Sequence, residues 1–345
     1  MKATVLEGVR DIRLIDVPDP VIRAPTDAVV RVQLAAVCGS DLWPYRGREE
    51  FRSGDRMGHE WIGIIEETGP EVTRLRRGDL VVAPFAFADG TCPACLDGIH
   101  TSCRRGGFWG GRNDGGQAEA VRVPFADATL VPVRADVDED LARRLLPLTD
   151  VMVTGHHANV LAGVARGGTV VVIGDGAVGL CAVLAARRAG AERILSVGHH
   201  PDRARLARRF GATETYLGDP TETAELIVEL TGGGAASVAE CVGSQSALDL
   251  ALAVTRPGGT IGSVGVPNGV NQVDLYPFFR ANIALRAGVA PVRAYLDALI
   301  ADVLGGTLDP SPVFTTDVTL PDIADAYSAM DRRRAIKALV RPTTN

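Results

Sequence analysis

The feature that most constrains this chain is a short apolar run that ends in glycines. Thr169-Val170-Val171-Val172-Ile173 is β-branched almost throughout, as in a strand buried on both faces of a parallel sheet. It runs straight into Gly174-Asp175-Gly176-Ala177-Val178-Gly179, and a helical segment follows from Ala177 to Ala189, closed by Gly190. Strand, G-x-G-x-x-G and helix in that order form a dinucleotide-binding unit. The first glycine allows the tight turn. The second lets a pyrophosphate approach the backbone, and the third lets helix and strand pack closely. The free N–H groups and positive dipole end of the helix then face the phosphates.

The alternation continues downstream. Arg193 to Val197 reads as strand, Arg203 to Phe210 as helix ending at Gly211, Ser237 to Val242 as strand, Gln245 to Val254 as helix and Thr260 to Val264 as strand. Such alternation implies a doubly wound parallel sheet. Gly265 and Val266, just past the last of these strands, join Gly174, Gly176, Ala177, Val178 and Gly179 as expected cofactor-binding positions.

The end of the second strand bears on the kind of dinucleotide. NAD-preferring sites place an acid there to hold the ribose hydroxyls. This chain has Gly198, which removes repulsion against a 2′-phosphate and makes room for it. His199, His200 and Arg203 could supply positive charge or donors, so NADP(H) is favoured over NAD(H). The alternative is that these are solvated loop residues and that Asp202 turns back to serve as the acid.

The first 130 residues differ in character. Short β-type runs such as Asp27 to Val37, Trp61 to Thr68 and Leu80 to Pro84 are punctuated by Gly and Pro, which suggests a barrel-like β unit. Residues 136 to 165 look helical, with Asp138, Glu139 and Asp140 at the start, where the helix dipole favours negative charge. The chain beyond Ala290 returns to mixed character and ends in a strand-like Ile336 to Val340. With 345 residues, about two domains of roughly 150 residues are expected.

The net charge of -6 argues against a nucleic-acid partner, which usually needs a basic patch. The N-terminus lacks the apolar core of a signal peptide, and no apolar stretch is long enough to span a bilayer, so a soluble cytoplasmic protein is expected. In that setting six cysteines suggest metal before disulfides. Three of them are local: Cys92 and Cys95 on a Gly/Pro knuckle, then Cys103. That spacing suits a closed tetrahedral zinc site, with Asp89 available as the fourth ligand. Cys38, His59 and Asp150 are spread along the chain, and spacing alone does not bring them together.

At these residues the chain resembles the zinc-containing medium-chain alcohol dehydrogenases. Gly58-His59-Glu60 with Gly63, Gly69 and Val72 is similar to that family's zinc signature, and the likeness runs from the first strand to Lys337-Ala338-Leu339-Val340-Arg341-Pro342. It implies an α/β protein: a GroES-like, β-rich catalytic domain from residues 1–150 and 290–345, a Rossmann domain from 151–289, and an active site in the cleft. By the same resemblance Cys38, His59 and Asp150 match the catalytic zinc ligands and Glu60 a conditional one. Asp150 stands where another branch has cysteine, and matches the bacterial NADP-dependent secondary alcohol dehydrogenases. Asp41 matches a carboxylate that orients His59 through its other ring nitrogen; the bland alternative is a helix cap. Ser40 matches the hydroxyl that receives the substrate proton. The cysteine knuckle matches the structural zinc lobe, with Asp89 where cysteine is usual, which makes two zinc ions per chain.

One departure touches the proton relay. Trp43 stands where relatives often carry histidine, so protons would leave through water, or Trp43 would instead narrow the pocket. Phe85, Phe108 and Trp109 are candidate pocket residues, with core packing as the alternative reading. An aromatic pocket points to a lipophilic alcohol, aldehyde or ketone. The resemblance implies a homo-oligomer, tetramer or dimer. Two other readings remain on this fold: a reductase of activated alkenes or imines, disfavoured by the intact zinc set, and a non-catalytic NADP(H)-binding regulator.

Overall fold

The structure, a computed structural model, describes residues 1–267, 269–270 and 272–342. The chain divides into two compact units, one formed by Met1–Asp150 with the chain from Pro291 onward, the other by Val151–Ala290.

The first unit begins with strands β1 (Lys2–Gly8), β2 (Asp11–Asp16) and β3 (Ala28–Val37), then helix α1 (Leu42–Tyr45). Strands β4 (Asp55–Arg56), β5 (Glu60–Thr68), β6 (Leu80–Ala83) and β7 (Ala86–Phe87) follow, then α2 (Pro93–Leu96) and β8 (Gly107–Phe108). Its first segment closes with β9 (Ala120–Val123), α3 (Ala126–Thr129), β10 (Val131–Pro132) and α4 (Glu139–Leu145). The second unit holds α5 (Val151–Ala162), β11 (Thr169–Ile173), α6 (Ala177–Arg188), β12 (Arg193–Val197), α7 (Pro201–Phe210) and β13 (Glu214–Tyr216). It continues with α8 (Pro220–Thr231), β14 (Ala235–Glu240), α9 (Gln245–Val254), β15 (Thr255–Ser263), α10 (Leu275–Ala281) and β16 (Ala284–Ala287). The chain then returns to the first unit as α11 (Val292–Leu304), β17 (Phe314–Thr319), α12 (Ile323–Asp331) and β18 (Lys337–Arg341).

The main sheet of the first unit runs β10-β6-β5-β3-β18-β17, with β9 also on β3. β3 alternates against β5 with Ala36 opposite Glu60, and β18 pairs with the same end of β3, Ala338 opposite Val37. Three separate chain segments, the last of them remote in sequence, therefore present Cys38, His59 and Lys337 at one end of one sheet. Beneath it a core of Val30, Val32, Trp61, Val81, Trp109 and Tyr327 excludes water.

The second unit is a six-stranded sheet in the order β13-β12-β11-β14-β15-β16, parallel throughout. Strand order reverses between β11 and β14, the place where doubly wound sheets bind ligands.

The helical reading of 136–165 needs correction. Asp138 caps α4 by accepting from Leu141 N–H, but the helix gives way to a 3-10 turn over Leu146–Thr149. Asp150 then leaves helical geometry at φ -153°, ψ -80° before α5 starts. Pro147 within that turn lacks the N–H that would continue the helix.

Candidate active site and metal centres

Cys38 follows the last residue of β3, and His59 precedes the first of β5. Antiparallel register puts them side by side. Asp150 comes from the irregular residue between the 3-10 turn and α5. One donor atom each from Cys38, His59, Glu60 and Asp150 lies within 4.8 Å of the others. Cys38 Sγ is 3.3 Å from Asp150 Oδ2, and His59 Nε2 is 3.3 Å from the same oxygen.

The electrostatics of this cluster call for a cation. Burial, with the charges of Asp150 and Glu60 added to it, pushes the Cys38 thiol up to about 11. Burial likewise raises Glu60 to about 7, against the pull of the Lys337 ammonium. Burial would depress His59, but Asp41 and Cys38 outweigh it and hold the imidazole well above its ordinary value. Glu60 Oε1 accepts from Lys337 Nζ at 2.5 Å, while Glu60 Oε2 is buried without a hydrogen-bond partner. An unpaired buried acceptor is costly. A divalent ion among these groups would relieve the repulsion and give that oxygen a partner, and Cys, His and Asp are accepted zinc ligands.

Asp41 stands at the start of α1 without capping it by its side chain. Its Oδ1 lies 3.2 Å from His59 Nδ1, and its Oδ2 accepts from Cys38 N–H at 3.0 Å and from Gln117 Nε2 at 3.3 Å. Tyr327 donates in turn to Gln117 Oε1 at 2.9 Å. A carboxylate on Nδ1 fixes the imidazole with Nε2 facing the cluster. Ser40, half-buried, lies between Cys38 and Asp41 in sequence.

A second donor set joins Asp89, Cys92, Cys95 and Cys103, again within 4.8 Å. Asp89 Oδ1 accepts from the N–H groups of Thr91 at 2.9 Å and Cys92 at 3.1 Å, which hold its carboxyl well below the usual carboxylate range. Burial and the neighbouring thiols push Cys95 up to about 12. Three sulfurs and a carboxylate turned inward fit a closed zinc site.

Among the aromatic candidates, Phe85 packs edge-on to His59, with centroids 6.5 Å apart, and stacks on exposed Phe108 at 5.9 Å. Trp109 is 5% exposed, wedged against Trp61 and Phe87, and its indole N–H donates to Pro84 O at 2.7 Å. These contacts are those of a core residue, the alternative reading given for it. Trp43 lies under the Arg48 guanidinium, 5.7 Å from its ring centroid.

In the second unit Gly174 adopts φ +116°, which favours glycine, and a side chain on Gly179 would meet Gly174 O at 2.0 Å. Gly176 caps α6. Gly265 packs backbone to backbone on Gly243, and Val266 is exposed. Glu240, unremarked in the sequence, accepts from Val242 N–H and Gly243 N–H at 2.7 Å and from Ser263 Oγ at 2.7 Å, which ties the ends of β14 and β15 together. The room expected beside Gly198 is filled by Asp175, and His200 and Arg203 both face that carboxylate. Asp202 does not turn back: its side chain is 82% exposed and pairs with Arg205.

Residues 24–134 match the alcohol dehydrogenase GroES-like domain, and residues 177–299 the zinc-binding dehydrogenase domain. A probable zinc-binding alcohol dehydrogenase of Mycobacterium tuberculosis is 36% identical over 343 residues, covering 96% of this chain and 86% of its own length. This chain belongs to the zinc-type alcohol dehydrogenases. An alcohol dehydrogenase from Thermus sp. ATN1 superposes with a TM-score of 0.93 at 33% identity, over 99% of both chains. A zinc-binding dehydrogenase from Sinorhizobium meliloti, solved with NADP bound, gives a TM-score of 0.85 at 25% identity over 99% of both chains. The two units are thus a GroES-like and a Rossmann domain of a medium-chain dehydrogenase. Among the described residues no helix is long and apolar enough to cross a membrane.

Proposed function

We propose that this alcohol dehydrogenase moves hydride between a nicotinamide dinucleotide and a lipophilic alcohol/carbonyl pair. Cys38, His59 and Asp150 would hold a catalytic zinc ion and Glu60 would be a conditional ligand. The observation that carries the reading is the buried donor cluster with its partnerless Glu60 oxygen. When bound, zinc supplies Lewis acidity, which acidifies an alcohol and polarises a carbonyl.

The chain's own residues supply the rest. Asp41 holds the imidazole of His59 in the tautomer that leaves Nε2 unprotonated toward the cluster. Lys337 neutralises Glu60 and, through Val37 O, pins it to the end of β3. Ser40 Oγ takes up the proton that the alcohol gives up and passes it to water, Trp43 replacing the more usual relay imidazole. Phe85 and Phe108 offer an apolar wall next to His59, which suits a hydrocarbon substituent better than a polyol. Gly174, Gly176 and Gly179 let the dinucleotide pyrophosphate reach the N-terminus of α6.

Asp89, Cys92, Cys95 and Cys103 would hold a second, structural zinc ion. A homo-oligomer is part of this proposal, and features of the second unit support it: β16 is an edge strand, and Leu275, Tyr276 and Phe279 of the preceding α10 are exposed, the last by 83%. A second copy of the chain would cover such an edge.

The test is metal analysis beside a dinucleotide-coupled screen of alcohols and carbonyls. Two zinc ions per chain and turnover of apolar alcohols are expected, with Asp150→Ala losing one zinc ion and turnover together. Full turnover in zinc-stripped protein would overturn the reading.

A further inference from the structure

Asp175 is a half-buried acid that the glycine motif leaves unassigned. It is the variable residue between Gly174 and Gly176, yet its carboxylate reaches across to the end of β12. Oδ2 accepts from His199 N–H at 2.8 Å and His200 N–H at 2.9 Å, and lies 2.8 Å from His200 Nδ1. Oδ1 lies 3.5 Å from Arg203 Nη1, and the side chain is 12% exposed. A Cβ on Gly198 would come within 2.5 Å of Asp175 Cβ and 2.7 Å of its Cγ and Oδ2. Gly198 is therefore bare because Asp175 fills the space. The place that a side chain at Gly198 would take is held by the Asp175 carboxylate.

We propose that Asp175 is the specificity-determining residue of the dinucleotide site, selecting the free 2′-hydroxyl of NAD(H) against the 2′-phosphate of NADP(H). The proposal rests on reading the chain as a nicotinamide-dependent dehydrogenase. Doubly wound folds read the adenosine ribose with an acid near the end of the second strand. Here the acid at that place is delivered by the first loop instead. A carboxylate oxygen has lone pairs to accept from a hydroxyl, and Oδ1 is the less committed of the two. A phosphate beside it would meet like charge. Of the three side chains that could offset that charge, His200 and Arg203 already face Asp175, which leaves only the exposed His199.

The test is fluorescence titration of the purified protein with NADH and with NADPH. NADH is expected to bind wild-type protein at least tenfold tighter. Asp175→Asn should shrink that ratio at least tenfold. Gly198→Ala, whose methyl group would push the carboxylate aside, should move it the same way even if Asp175→Asn folds poorly. Asp202→Asn should leave the ratio within twofold. Equal or tighter binding of NADPH by wild-type protein overturns the proposal. So does an Asp175→Asn protein that melts like wild type and keeps the wild-type ratio. In both cases dinucleotides still bind, and the dehydrogenase reading stands. If neither dinucleotide binds, both fall together.

Discussion

Replacing Asp41 by asparagine keeps the shape of the side chain and removes its charge. His59 Nδ1 then loses a carboxylate 3.2 Å away, and Cys38 N–H keeps only a weaker acceptor. Losing such an outer partner costs about 10–100-fold in metal affinity or activity. We expect a loss in that range, read by zinc competition titration beside kcat/KM; wild-type zinc affinity would show that Asp41 does not orient His59. Lys337→Met tests the other support. It leaves Glu60 buried without its cation, and breaking a buried pair this way costs about 3–5 kcal/mol. Denaturant unfolding should show that loss, and Lys337→Met with Glu60→Leu should recover much of it. The sequence made Cys38, His59, Glu60 and Asp150 legible only through family likeness, because 112 residues separate Cys38 from Asp150. Lys337 carries a signal of its own: a lysine inside the apolar run Ile336 to Val340 needs a buried partner. Asp175 carried none, since it occupies a position where the motif admits any residue.

At the scale of elements, the parallel sheet was the easiest part to read. Arg193–Val197 and Gln245–Val254 have the bounds that their patterns suggest, because β-branched runs and glycine stops leave few choices. β14 lies two residues earlier than its apolar run implies. The run continues to Val242, but Glu240 accepts the N–H groups of Val242 and Gly243 and turns the backbone out of the strand. A single carboxylate outranks hydrophobic pattern there, which no count of apolar residues foresees. The cysteine lobe shows the opposite case, since its elements are minimal and its ligand spacing says more than its propensities. α2 has four residues and β7 and β8 two each. Cys95→Ser is accordingly expected to release the structural zinc ion and to speed amide exchange selectively across residues 89–105. Metal analysis with hydrogen-exchange mass spectrometry checks this; unchanged protection across the lobe would mean that packing alone holds it.

For the whole molecule, the exposed side of β16 is where association is expected. Phe279→Glu places a charge on the apolar face of α10, and light scattering should then find a smaller assembly than for wild-type protein, with the Asp175-dependent cofactor preference intact. An unchanged mass would send the search to another surface. The pairing of β3 with β18 has a consequence for how the chain is made. Val37 O and Lys337 Nζ meet across 300 residues. A ribosome emits β3 early and must hold its open edge until β18 emerges, with the whole parallel-sheet unit synthesised between them. Loop-closure entropy grows with the logarithm of the free chain length. If the contiguous unit from Val151 to Ala290 collapses first, as domains made in one stretch tend to do, it shortens the tether that the last strand must close. Assembly of the Glu60 ion pair would then mark the end of folding.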